Sequence, residues 1–294
     1  MARQPGEPNL VDATEDAAVP DIDRLLESRD LIGLGAAADT KRRQKHGDRV
    51  TFVRVQEVPV SHAATDMEVL AGAGELRIVG EPETSRAAVV VTEGLAAGSG
   101  AIPVTGFMLD GLAALCRHET DALRHLLGEL RGAGLAMVSG LRADSARAME
   151  WLAVSQDAGI DVGTVIVEES EADGGIDLLR EVAAWGKHAS HVHACAPLAR
   201  AVASAATTGY ADVRRVALAR LLVDNIDSIQ VDWSQYGPKL AQVALTFGAD
   251  DVDAVSPVDS RDEGPRRTPL EEIRQNIRAA AMVPIQRNGC FREL

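Results

Sequence analysis

The densest group of side chains able to do chemistry is His188-x2-His191-x-His193-x-Cys195. Were 191–195 a strand, side chains 191, 193 and 195 would share one face, and an HxH pair facing a barrel lumen can hold zinc or a similar ion. A full site needs another ligand, for which Glu168 and Asp232 are the candidates. The simpler reading is a partly buried His pair beside an unrelated thiol, so no metal is expected, with His191/His193 as the alternative. Glu168-Glu169 follows an apolar run, where a carboxylate serves as acid, base or hydroxyl acceptor; the run Glu168-Glu169-Ser170-Glu171 also suits a solvated loop. Asp232-Trp233 ends another apolar run, where the indole either stacks on a ligand or lines a wall. Asp250 and Asp251, close to a strand, either face the pocket or, as the simpler reading, are capping or solvated residues.

The elements that must position these groups alternate. Strands are expected over 51–55, 75–79, 87–91, 101–105, 135–138, 162–167, 191–195, 229–233 and 252–255. Helical patterns lie between several of them. Leu123, Leu126, Leu127 and Leu130 follow i, i+3, i+4, i+7, as do Leu240, Val243, Ala244 and Phe247 in a helix opened by Gly237-Pro238. Thr268-Pro269-Leu270-Glu271 has a capping-box layout. Residues 95–100 and 259–267 read as loops. Such alternation indicates parallel units: an α/β protein, a full or partial (β/α) TIM-type barrel, with a doubly wound sheet as second choice. Residues 1–20 read as a flexible tail and 21–294 as a single domain. Strand ends at Gly80-Glu81, Glu168-Glu169, His191/His193 and Asp232-Trp233 should then converge on one pocket. An acidic pocket with a His pair suits a polar, hydroxyl-rich or cationic molecule better than free phosphate.

Composition removes other classes. Thirty Lys and Arg against 44 Asp and Glu give a net charge of −14, which disfavours nucleic acid and anionic membranes. The basic cluster 41–45 fits one solvated helix face. No apolar run approaches the ~18 residues of a membrane span, and the N-terminus lacks an apolar signal region, so a cytoplasmic location is expected. The three cysteines, Cys116, Cys195 and Cys290, are too sparse for a disulfide framework.

The stretch IQVDWSQYGPKLAQVALTFGADDVDA (229–254) resembles the radical SAM enzymes of the futalosine menaquinone pathway, aminodeoxyfutalosine synthase and cyclic dehypoxanthinyl futalosine synthase, with the deazaflavin-forming FO synthase as a relative. The likeness continues through DVRRVALARLLVDNI (212–226) and PLEEIRQNIRAAAMVPIQRN (269–288), and at the N-terminus through DLIGLGAAADTKRRQKHGDRVTFV (30–53). The resemblance implies a barrel with CxxxCxxC after its first strand, three thiolates gripping one 4Fe–4S cluster that binds S-adenosylmethionine. Here VRVQEVPVSHAATDMEVLAGAG (53–74) contains no cysteine, and His62 alone cannot replace three thiolates. The Gly-Gly-x-His-type turn expected after the next strand is also missing, ELRIVGEPET (75–84) standing there instead. A 4Fe–4S cluster and S-adenosylmethionine cleavage are therefore not expected. The implied function is that of a pseudoenzyme: a non-catalytic partner of an active paralogue, in a hetero-oligomer, or a small-molecule-binding protein linked to menaquinone formation. The alternative is an enzyme using the same pocket without the cluster.

Overall fold

The computed structural model describes residues 30–61, 68–168, 175–199, 209–259 and 269–294. The expected tail 1–20, His62, Glu169, Thr268 and most of the 259–267 connection lie outside these residues. Helix α1 (Leu31–His46) begins where the Asp30 carboxylate accepts from the Gly33 amide at 2.9 Å and ends in a turn basic with Arg43, Lys45 and His46. Then come β1 (Arg49–Pro59), β2 (Glu75–Val79), α2 (Ser85–Gly98), β3 (Val104–Met108), α3 (Leu109–Leu115), α4 (Thr120–Gly132), β4 (Leu135–Arg142), α5 (Ala148–Ala158) and β5 (Asp161–Glu168). The remainder is α6 (Ile176–Ala184), β6 (Val192–Ala199), α7 (Gly209–Leu222), β7 (Ser228–Asp232), α8 (Trp233–Thr246), β8 (Asp251–Val255), α9 (Pro269–Ala279) and β9 (Val283–Arg287).

Strands β1 to β8 pair in parallel in chain order, and β8 returns to β1, closing an eight-stranded TIM-type barrel. β1 is long enough to serve two partners on one edge. Residues Val55–Pro59 pair with β2, while Arg49–Val53 pair with β9, which therefore lies below β2 toward the N-terminal end of the barrel. The segment after β9 folds beneath the lumen, where Gly289 N–H donates to the Gly74 carbonyl at 3.0 Å. Among the described residues no helix is long and apolar enough to cross a membrane.

The leucine stripe of α4 is buried as its period requires, with Leu123, Leu126, Leu127 and Leu130 at 2% exposure or less. Three expectations are corrected. Residues 87–91 are helical: Thr84 caps the Ala87 amide at 3.1 Å, and Ala88, Val91, Thr92 and Leu95 form a buried helical stripe that runs on through the expected loop at 95. Gly237-Pro238 opens a helical segment as expected, joined across a kink to a preceding turn within α8. The helix starts at Trp233 under the Asp232 cap, and Gly237 breaks it at φ 73°, leaving Val243 on the solvent side. The basic cluster is not simply solvated, because Arg42 is fully buried against Asp39 and the Gly47 carbonyl, while Lys41 and Lys45 reach the Leu221 and Asp224 carbonyls. β9, half-exposed along one short run, gives too weak an alternation to be read from sequence.

Candidate functional site

Side chains on a barrel strand alternate between the outer helices and the lumen. The lumen here carries charge where apolar layers are usual. Arg77 of β2 donates to both Glu75 oxygens at 2.7 and 2.9 Å and to both Asp253 oxygens at 2.8 Å each. Thr105 of β3 hydrogen-bonds Glu75 at 2.5 Å. Lower down, Arg287 of β9 forks onto Asp251 of β8 at 2.6 and 2.7 Å, and the Gln230 amide donates to the same carboxylate at 2.8 Å. Beneath Arg287 lies the ring of Phe291, 3.8 Å from the guanidinium carbon, stacked on His193 with centroids 4.8 Å apart. The N-terminal end of the lumen is thus filled and the C-terminal end is open.

Two adjoining cavities occupy the open end. The first, about 220 Å³, is lined by Asp232, Asp253, Gln230, Thr164, Gln235 and Tyr236. The second, about 580 Å³, opens between the ends of β2 and β3 and is lined mainly by Ile78, Val79, Pro82, Phe107, Leu112 and Leu115. Arg77, Met108 and Ser139 belong to both walls. Phe107 holds a left-handed backbone at φ 62° while buried to 3% exposure, and its carbonyl accepts from the Ser139 hydroxyl at 2.7 Å. Such strain is retained where the surroundings over-determine it, often at ligand sites.

The charges in this mouth are tuned by one another. Burial pushes the Asp253 carboxyl up, but Arg77 outweighs it and holds the group below its ordinary range. Burial works against charge on Arg77 too, yet Asp253 and Glu75 keep the guanidinium firmly protonated. Asp232 goes the other way: burial first, then the Asp253 charge, raise its carboxyl, against the N–H of Gln235 and the hydroxyl of Ser234.

The residues expected to converge divide into three groups. Gly80 and Glu81 line the larger cavity and Asp232 the smaller. Glu168 ends β5 half-buried and lines neither, and Trp233 is packed in the hydrophobic core at 9% exposure. His191 and His193 sit at the opposite end of the barrel, because they open β6, which runs on past Cys195 to Ala199. His191 Nε2 meets Ser155 Oγ of α5 at 2.9 Å, while His193 meets Asp161 at 3.2 Å and Phe291. Their expected part in a single pocket is corrected by that strand direction. Among the described residues no three His, Cys, Asp or Glu side chains come together as metal ligands. Asp250 and Asp251 are neither caps nor solvated: Asp250 is buried against Arg220, and Asp251 holds Arg287 in the lumen.

Sequence reasoning missed Arg77, Ser139, Thr164, Gln230 and Asp253. Their signal was a polar residue at every second position of an otherwise apolar strand, as in Gln230-x-Asp232 and Asp251-x-Asp253. The donor set for a 4Fe–4S cluster does not fit. Cys116 caps α3, Cys195 lies inside β6 and Cys290 follows β9. Burial raises all three thiols, Cys195 to about 12, away from the thiolate form a cluster requires.

Residues 194–293 match the CofH/MqnC C-terminal region family. Over 81% of both chains the protein is 29% identical to the 5-amino-6-(D-ribitylamino)uracil–L-tyrosine 4-hydroxyphenyl transferase of Methanoculleus marisnigri. It is 34% identical to the aminodeoxyfutalosine synthase of Thermus thermophilus over 30% of this chain and 25% of that one. In fold it resembles HydG, a maturase of the [FeFe]-hydrogenase, with a TM-score of 0.62 at 13% identity over 93% of this chain and 73% of that one. It also resembles methylornithine synthase, with a TM-score of 0.58 at 14% identity over 90% and 93%. The solved structures share the barrel fold, and the C-terminal region and the curated relatives agree that the chain is similar in sequence to the radical SAM menaquinone and cofactor enzymes.

Proposed function

We propose that this protein is a cluster-less member of that group: a cytoplasmic small-molecule-binding partner that works beside an active paralogue and no longer cleaves S-adenosylmethionine. The observation that carries the reading is the pairing of a cysteine-free 53–74 segment with three thiols placed far apart, Cys195 buried and Cys116 and Cys290 half-buried, in a barrel whose mouth still holds a formed cavity. Fold alone does not fix chemistry, so the argument rests on the site. Carboxylates, amides and hydroxyls converge there, which suits a polar ligand carrying hydroxyl or cationic groups. The ribityl chain and amino groups of the substrate named for the methanogen relative have that character.

The experiment is anaerobic reconstitution with iron and sulfide, followed by dithionite and S-adenosylmethionine. The expected result is colourless protein and intact S-adenosylmethionine. A brown protein with near-stoichiometric cluster that cleaves it would end the proposal. Thermal-shift titration with 5-amino-6-(D-ribitylamino)uracil, L-tyrosine and aminodeoxyfutalosine tests the binding half directly. Adjacency of the gene to futalosine-pathway genes tests the link to menaquinone.

A further inference from the structure

The two cavities at the barrel mouth differ in chemistry and meet at a strait of three residues, Arg77, Met108 and Ser139. In the smaller, Arg77 is the one cation among the described lining residues, its guanidinium already shared between Asp253 and Glu75, with Arg287 acting on Asp253 from below. Four of the five N–H donors of Arg77 are taken by these carboxylates, one on Nη1 is left, and the charge balance around it is negative. The two hydrogen bonds that make Asp232 the cap of α8, from Gln235 N–H and Ser234 Oγ, both fall on Oδ1, and the residue lines the cavity. A carboxylate removed from water without a cation is costly, and a cationic ligand removes that cost. The larger compartment has the opposite character. Ile78, Val79, Pro82, Phe107, Leu112 and Leu115 supply its apolar wall, Arg142 and Asp110 are closed on each other at 2.9 Å, and the Glu81 residue at its edge is exposed to solvent. Met108 at the strait offers a thioether that tolerates a ring edge.

We infer that the ligand of this mouth is a small amphiphilic cation, its ammonium on Asp232 beside Asp253 and its aromatic or apolar part across Met108 in the compartment under Phe107. The inference rests on the reading of the mouth as a binding site and narrows its ligand class. It orients the molecule, amine inward over the lumen and ring toward the β2–β3 end. It also disfavours phosphorylated and carboxylated ligands lacking an amine, which would meet Asp232 and Asp253 with a single N–H of Arg77 to hold them.

The test uses the full chain and three simple probes: phenethylamine, with both features; 2-phenylethanol, with the ring and no charge; and ethylamine, with the charge and no ring. Binding is followed by calorimetry or by NMR up to about 10 mM, since molecules this small bind weakly. Phenethylamine should bind about tenfold more tightly than either of the others. Asp232→Asn keeps a helix-capping side chain and should remove the advantage over 2-phenylethanol. Ala114→Phe, an exposed residue on the rim of the apolar compartment, should remove the advantage over ethylamine. Equal affinity for phenethylamine and 2-phenylethanol, with Ala114→Phe still weakening both, would overturn the cation assignment and leave the mouth as a binding site. Binding indifferent to both variants would place it elsewhere and overturn the site reading itself. Absence of binding by every probe would overturn the inferred ligand class.

Discussion

Arg77 and Asp253, 176 positions apart in the chain, meet across the lumen through two nitrogen–oxygen contacts of 2.8 Å each, bridging β2 and β8 over the strand between them. The pair closes the barrel on the side where β1 divides its edge between β2 and β9. Removing the cation leaves Glu75 and Asp253 facing each other in a buried space. Arg77→Met is expected to cost about 3 kcal/mol in urea unfolding at neutral pH. Because Arg77 holds Asp253 below its ordinary value of 3.8, this contribution is present above that value and is lost as pH falls through the depressed one. The wild-type and variant stabilities should therefore approach each other in acid; a gap independent of pH would contradict the ion-pair account.

Asp232 carries the opposite sign. Its carboxyl is raised, so the folded state binds a proton that the unfolded chain has already released, and stability falls as pH rises from 3.8 through the raised value. Asp232→Asn, which keeps a capping side chain, should raise Tm at neutral pH and leave it unchanged in strong acid. A lowered Tm at pH 7 would show that the cap, not the buried charge, dominates there.

His191 provides a separate acid sensitivity. Burial beside α5 lowers its pKa from 6.5, against the nearby Asp161 charge that raises it. An imidazole held neutral in the fold favours unfolding once pH drops below 6.5, so stability declines from there downward. In His191→Gln the Tm difference between about pH 8 and pH 5 should narrow. An unchanged difference would exclude His191 as a source.

Phe291 seals the lower lumen by lying between Arg287 and His193. Phe291→Ala should cost about 1–3 kcal/mol, since both a cation–π contact and a ring stack are lost. The variant should also shift the NMR resonances of His193 while leaving binding at the mouth intact. Loss of mouth binding at unchanged stability would mean that the two ends of the barrel are coupled.

Several parts of this protein were legible in its residues because they depend on neighbours in sequence. The α4 leucines repeat every three or four positions, Glu75–Val79 is a strand as expected, and the β/α alternation leads to the barrel. The cysteine-free 53–74 segment is a property of the chain itself. Residues 87–91 misled because a β-branched run fits a strand or a buried helix equally, and the Thr84 cap decides between them.

What tertiary structure decided was direction and partnership. His191 and His193 stand at the start of β6, which runs on to Ala199, so they lie at the base of the barrel; the expected strand 191–195 already begins with them, and only its direction in the closed barrel differs from the expectation. Arg77, Asp251, Asp253 and Arg287 read in sequence as scattered charges. They become a lumen network only once parallel pairing puts their strands side by side and the alternating pleat turns all four inward, where removal from water makes each charge depend on a partner far away in the chain.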